Sequence, residues 1–213
     1  MDKIAIFDFD GTIIRGDSVV SLLLFARKKK LLPLSGLLRS ALYGCLYRLK
    51  LTDALTAKKR SHAFLARLSQ EERDAFLRSF AQTLADRAFP SALRRIQSHA
   101  ADGDQVLLCS ASCQCYMQYV APLIGADILL CTPCAPDGTV LGPNCRGLEK
   151  VNRLDSWLAD HNLNRDALTA CYGDSRGDAA ILRAGGHPVL VNAKRDLAAL
   201  FPRAERVHWT EKG

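Results

Sequence analysis

Ile4, Ala5, Ile6 and Phe7 follow one another without polar alternation, and the run stops abruptly at Asp8-Phe9-Asp10-Gly11-Thr12. A strand apolar on both faces suits a parallel sheet covered by helices on both sides, so this stretch predicts a buried central strand with a polar tip. From Val19 to about Arg87 the period becomes helical. A helix is expected over Val19 to Ala26. Leu34, Leu37, Leu38, Ala41, Leu42, Cys45 and Leu49 recur at helical spacing and predict a buried stripe, with Arg39, Tyr43, Tyr47, Arg48 and Lys50 left largely for the outside. Ser69-Gln-Glu-Glu72 reads as a capping box opening a further helix to about Arg87.

Beyond Arg87 strands and helices alternate. Pro90 opens a helix to about Ala101, and Asp102-Gly103 turns the chain into a strand from Gln105 to Cys109. A helix over Tyr116 to Leu123, a strand over Asp127 to Cys131, and a hairpin turn at Asp137-Gly138 come next. Helices over Glu149 to Asp160 and Asp178 to Arg183 then alternate with strands over Leu168 to Tyr172 and Pro188 to Val191. The alternation predicts an α/β protein with a parallel sheet, carrying a helical insert between its first strand and the rest.

The 213 residues are 48% hydrophobic, ample for a buried core and incompatible with a disordered chain. The apolar run after Lys3 meets Asp8 before it reaches the length of a secretory h-region, so a cytoplasmic setting with reduced thiols is expected. The stretch from Leu31 to Leu51 is interrupted by Arg39 and Arg48, which argues against a membrane span. Cys131 and Cys134 form a CxxC pair, but no second such pair exists, so the eight cysteines are expected to be free rather than zinc ligands. The net charge of +7 is unevenly placed. Between Arg27 and Arg60 ten basic residues face one acid, Asp53, whereas the rest of the chain has 19 basic against 21 acidic residues. A basic amphipathic insert of this kind has two readings, peripheral contact with an anionic inner membrane face or a solvated surface that attracts anionic metabolites. Tyr43 and Tyr47 are too few for a stacking platform, so no nucleic-acid partner is expected.

Asp8 and Asp10, two apart on an extended segment, project the same way, and at ~4 Å with an effective dielectric of about 20 they repel by roughly 4 kcal/mol. A cation or a shared proton has to relieve them. Gly11 permits a sharp turn, and Thr12 offers a hydroxyl beside backbone N–H groups suited to an anion. The apolar run Val106 to Cys109 leads into Ser110, at a strand tip next to a coming helix, a place where phosphate oxygens bind. Lys150 lies in the first turn of a helix, where the macrodipole disfavours a cation and something negative should compensate it. Tyr172-Gly-Asp-Ser-Arg-Gly-Asp178 adds Asp174 and Asp178 at another strand tip. Converging carboxylates with oxygen-only ligands favour Mg²⁺.

The order DFDGT, Ser110, Lys150, GDSRGD resembles the haloacid dehalogenase superfamily of phosphatases, in particular the phosphoserine phosphatase-like branch with a helical cap between the first and second motifs. The Gly142-Pro-Asn-Cys-Arg-Gly-Leu-Glu-Lys150 stretch also resembles segments of that branch. The resemblance implies a Rossmann-like core over residues 1–14 and 88–213 with a cap over 15–87. It implies Asp8 as nucleophile, Asp10 as general acid/base, and Thr12, Ser110 and Lys150 as phosphate binders. Mg²⁺ would be held by Asp8, the Asp10 backbone carbonyl and Asp174, with Asp178 in support. Where phosphoserine phosphatases carry a Glu that holds the substrate amine, this chain has Asp17, and their GDGxND is GDSRGD here, so a substrate other than serine phosphate is expected. The expected activity is hydrolysis of a small phosphorylated metabolite through an aspartyl phosphate. The alternatives are a phospholipid head-group phosphatase at the membrane surface, a phosphotransferase or phosphomutase, and a phosphate-binding module without catalysis.

Overall fold

The computed structural model describes residues 3–135 and 137–210, Arg48 without its side chain; the outward placement expected of that side chain lies outside the described residues. Strand β1 (Lys3–Phe7) pairs in parallel with β2 (Asp104–Cys113) on one side and with β4 (Leu168–Gly173) on the other. β3 (Ile128–Thr132), β5 (His187–Val191) and β6 (Glu205–Val207) extend this into a six-stranded parallel sheet of order β3-β2-β1-β4-β5-β6. That is the doubly wound Rossmann order, whose ligand crevice opens at the carboxyl ends of the strands where the order reverses.

Successive residues of β1 feed two separate cores, which is why its apolar run shows no alternation. Ala5 and Phe7 join Val106, Leu108 and Tyr172 on one face, whereas Ile4 and Ile6 join Leu107, Cys109 and Cys171 on the other. Between β1 and β2 the chain forms α1 (Ser18–Lys28), α2 (Leu34–Arg48), α3 (Ala54–His62), α4 (Gln70–Ala85) and α5 (Pro90–Ala101); α6 (Gln114–Leu123) follows β2. Leu22, Phe76, Phe80, Ile96 and Tyr116 from these helices share the cluster of the first face. Phe25 meets Phe76 and Phe80, and Phe80 stands edge-on to Tyr116 at 5.3 Å, so the insert is packed onto the core. The second face is covered by α7 (Leu148–Asp160), α8 (Ala179–Leu182) and α9 (Arg195–Ala198), through Leu154, Leu158, Ile181 and Leu197.

Local signals hold where they are strong. Ser69 and Glu72 form the reciprocal capping box of α4, and Pro90 opens α5. Gly138, at positive φ, donates to the Ala135 carbonyl in the expected turn, with Cys134 bridged antiparallel to Val140. None of the eight cysteines is joined in a disulfide.

Three expectations change. β2 runs on past Cys109 to Cys113, with a register shift against β3 between Ser110 and Cys113, so Ser110 lies within the strand. β6 and α9 carry no periodic pattern, and they form because β5 offers an edge and Leu197 a buried anchor. The largest change concerns α2. Leu34, Leu38, Ala41, Leu42, Cys45 and Leu49 face solvent, while Leu37, Ser40, Tyr43 and Tyr47 turn inward. An apolar helix with tyrosines on its second side offers two packable faces, and here Tyr43, with Arg60 5.4 Å from its ring centroid, takes the inner one.

Candidate active site

β1 and β4 both end at the centre of the sheet, and the Asp8 amide donates to the Tyr172 carbonyl at 3.0 Å, locking the two tips together. Asp8 and Asp10 leave the tip of β1, while Asp174 follows β4. Gly11 turns at φ +83°, and a Cβ on it would come 2.2 Å from Asp174 Oδ2, so the close approach of the two loops needs glycine there. Oxygens of Asp8, Asp174 and Asp178 all lie within 4.8 Å of one another.

Lys150, 1% exposed in the first turn of α7, supplies the charge that this cluster needs. Its Nζ donates to Asp8 Oδ1 at 2.6 Å and to Asp178 Oδ1 at 2.7 Å, which also answers the unfavourable macrodipole. Burial opposes the ammonium charge, but Asp178 and Asp8 more than offset it and raise its pKa. Burial likewise works against the Asp178 carboxylate, yet the Lys150 charge and hydrogen bonds from Lys150 and Ser175 hold its pKa low. Asp8 is pushed well up, by burial first and then by the neighbouring Asp178 and Asp174, against the pull of Lys150. Asp174 is raised to about 7 by burial and by Asp178. The three acids, Asp8 and Asp178 buried and Asp174 half-buried, therefore carry more negative character than one ammonium balances, and their donors are all hard oxygens, which fits a small divalent cation such as Mg²⁺.

Asp10 is held differently. Its Oδ1 accepts from the Ser18 amide at 2.8 Å, and its Oδ2 accepts from Ser18 Oγ at 3.0 Å and Ser112 Oγ at 2.8 Å. Burial and the charge of Asp17 raise its pKa to about 6, while the hydrogen bonds from Ser112 and Ser18 limit the rise. Thr12, fully buried, donates to Asp8 Oδ2 at 3.4 Å, and the Ser110 hydroxyl accepts from the Ser112 amide at 3.0 Å. The structure thus gathers Asp8, Asp10, Thr12, Ser110, Lys150, Asp174 and Asp178 at one end of the sheet. Asp17 is exposed at the rim of this group, where its carboxylate accepts from the Val20 amide and caps α1, near enough for its charge to act on Asp10.

Three residues that sequence reasoning missed complete the site. Ser112 is two residues beyond Ser110 on an extended strand, and that spacing was a usable signal. Ser18 and Lys58 had none, because their partners are distant in sequence. Lys58 reaches from α3 to the Ala111 carbonyl, Asn144 Oδ1 and, at 3.2 Å, Thr132 Oγ1. Asn144 belongs to the stretch before Lys150, so α3 is tied both to the ends of β2 and β3 and to the loop that leads to Lys150.

The sequence profile of the haloacid dehalogenase-like hydrolases matches residues 5–183, which span the acids, Ser110, Lys150 and the insert. The chain belongs to this family. It is a hydrolase with the family's parallel-sheet fold. A histidinol-phosphatase of Neisseria meningitidis serogroup C is 29% identical over 92% of this chain and 93% of its own length. Among solved structures, a protein of unknown function from Bordetella pertussis Tohama I superposes with a TM-score of 0.87 at 22% identity, covering 97% of this chain and 99% of that one. A probable phosphoserine phosphatase from Vibrio cholerae superposes with a TM-score of 0.71 at 16% identity, over 97% of this chain and 60% of that one. At these identities the two structures speak for the fold.

Proposed function

We propose that the chain is a phosphatase that hydrolyses a small phosphomonoester through an aspartyl phosphate on Asp8. The observation that carries this reading is Asp8 itself, buried at the central strand tip with Lys150 Nζ at 2.6 Å and a second carboxylic acid, Asp10, of pKa about 6 beside it. Asp8 attacks phosphorus, the bond from phosphorus to the ester oxygen breaks, and Asp10 gives its proton to the departing alkoxide. Asp10 then accepts a proton from the water that attacks phosphorus of the acyl phosphate, which frees phosphate and restores Asp8. Lys150, Ser110 and Thr12 bind the phosphoryl oxygens. Asp178 orients Lys150. The charge of Asp17 helps keep Asp10 protonated on the leaving-group side. Asp8, Asp174 and the Asp10 backbone carbonyl would hold Mg²⁺, which when bound screens the negative charge that gathers on the phosphoryl group.

Residues 15–87 act as a cap on the core of 1–14 and 88–213, and the reach of Lys58 onto Ala111 and Asn144 supports this division. The test is phosphate release from a panel of phosphorylated metabolites, with histidinol phosphate first because of the Neisseria relative. Turnover that vanishes in Asp8→Asn with the fold intact supports the reading. Wild-type turnover by Asp8→Asn, or phosphoryl transfer to a second substrate without free phosphate, sinks it.

A further inference from the structure

We infer that the outer face of α2 docks this protein onto an anionic lipid bilayer. Leu34, Leu38, Leu42 and Leu49 are 55%, 62%, 56% and 68% exposed, and Leu51 just beyond is 71% exposed. At about 100° per residue the first four fall within an arc of roughly 80°, with Ala41 and Cys45 along the same side, so they form one stripe. From Leu34 to Leu49 the stripe is ~22 Å long at 1.5 Å per residue. A continuous aliphatic row of this length is not the scattered exposure of an ordinary surface.

The charge around the stripe names its occupant. Lys28, Lys29 and Lys30 precede α2, Arg39 flanks the stripe, and Lys50 follows it, all exposed. The one acid of the segment, Asp53, is spent on the Thr56 amide and hydroxyl as the cap of α3. A second copy of the chain meeting this face would set these cations against their own kind. A bilayer with anionic head groups takes the leucines into its acyl boundary and the cations at its surface, the arrangement of an interfacial amphipathic helix. Among the described residues no helix is long and apolar enough to cross a membrane, so the contact is one of lying on the surface. The inference is independent of the phosphatase reading, because none of these residues touches the acids or Lys150.

The test is flotation of the whole protein with vesicles of equal parts phosphatidylcholine and phosphatidylglycerol, and with phosphatidylcholine alone, at physiological salt. The protein should float with the anionic vesicles, stay behind with the neutral ones, and release as salt is raised. Leu38→Gln/Leu42→Gln should weaken binding about tenfold or more, and it should leave the urea midpoint unchanged because both side chains face solvent. Lys28→Glu/Lys29→Glu/Lys30→Glu should also abolish flotation. No flotation with anionic vesicles, flotation indifferent to the leucine pair, or a solution dimer that the leucine pair dissolves would overturn the inference. Phosphate release from a water-soluble ester, followed in the same variants, keeps the outcome separate from the proposed activity.

Discussion

Replacing Lys150 by Met removes a cation in contact with two buried carboxylates while keeping most of the volume of its stem. The side chains of Lys150, Asp8 and Asp178 are 2%, 9% and 4% exposed, and the two contacts are 2.6 and 2.7 Å. Removing one partner of a buried pair leaves an uncompensated charge and costs ~3–5 kcal/mol, against a total stability of about 5–15 kcal/mol. Urea unfolding in buffer with EDTA should therefore show Lys150→Met destabilised by about that amount at pH 7.5. The sign with pH is fixed by linkage. In the wild type Asp178 has a lowered folded pKa, so its contribution is present above the unfolded value and is lost as pH falls through the folded one. In the variant the stranded acids bind protons more tightly folded than unfolded, so the deficit should shrink as pH is lowered toward 5. Asp178→Asn added to Lys150→Met should recover part of the loss. A deficit below about 1 kcal/mol, or one that grows on acidification, would refute the charge balance described for this site.

Because Asp10 must be protonated to serve the leaving group, kcat/KM should fall as pH rises through about 6. Ser112→Ala, which removes a bond to the charged form, should move that limb up by roughly one unit, and Asp17→Asn, which removes a like charge, should move it down; shifts of the same sign would contradict the assignment. Chelation with EDTA should stop phosphate release and added Mg²⁺ restore it, and undiminished turnover in metal-free buffer counts against the acidic cluster as its site. Gly11→Ala, whose Cβ would collide with Asp174 Oδ2, should lower kcat/KM by about a hundredfold or more, and near-normal kinetics would show that the approach of the two loops is dispensable.

The parts of the fold legible in the sequence are those that local physics determines. The unalternating Ile4–Phe7 run meant two covered faces, and Ala5 and Ile6 do enter opposite cores. The lysine at an unfavourable helix position meant nearby acids, and Asp8 and Asp178 are there. What was illegible depends on the tertiary path. Periodicity identified the leucine stripe of α2 but gave no means to say whether it or the tyrosine side would find the core. Ser18 and Lys58 reach partners far along the chain, and no spacing announces such contacts. β6 is three residues, Glu205, Arg206 and Val207, whose strand state comes from the neighbouring edge rather than from their own preference.

A phosphoryl group carried on Asp8 is tested most directly by mixing enzyme and substrate, quenching in acid, reducing with borohydride, and sequencing the peptides that carry Asp8, Asp10 and Asp174 by mass spectrometry. Reduction converts a phosphorylated aspartate to homoserine. Homoserine is expected at position 8 only when substrate is present, with none in Asp8→Asn. Steady phosphate release with position 8 remaining aspartate, or homoserine at position 10 or 174 instead, would contradict it.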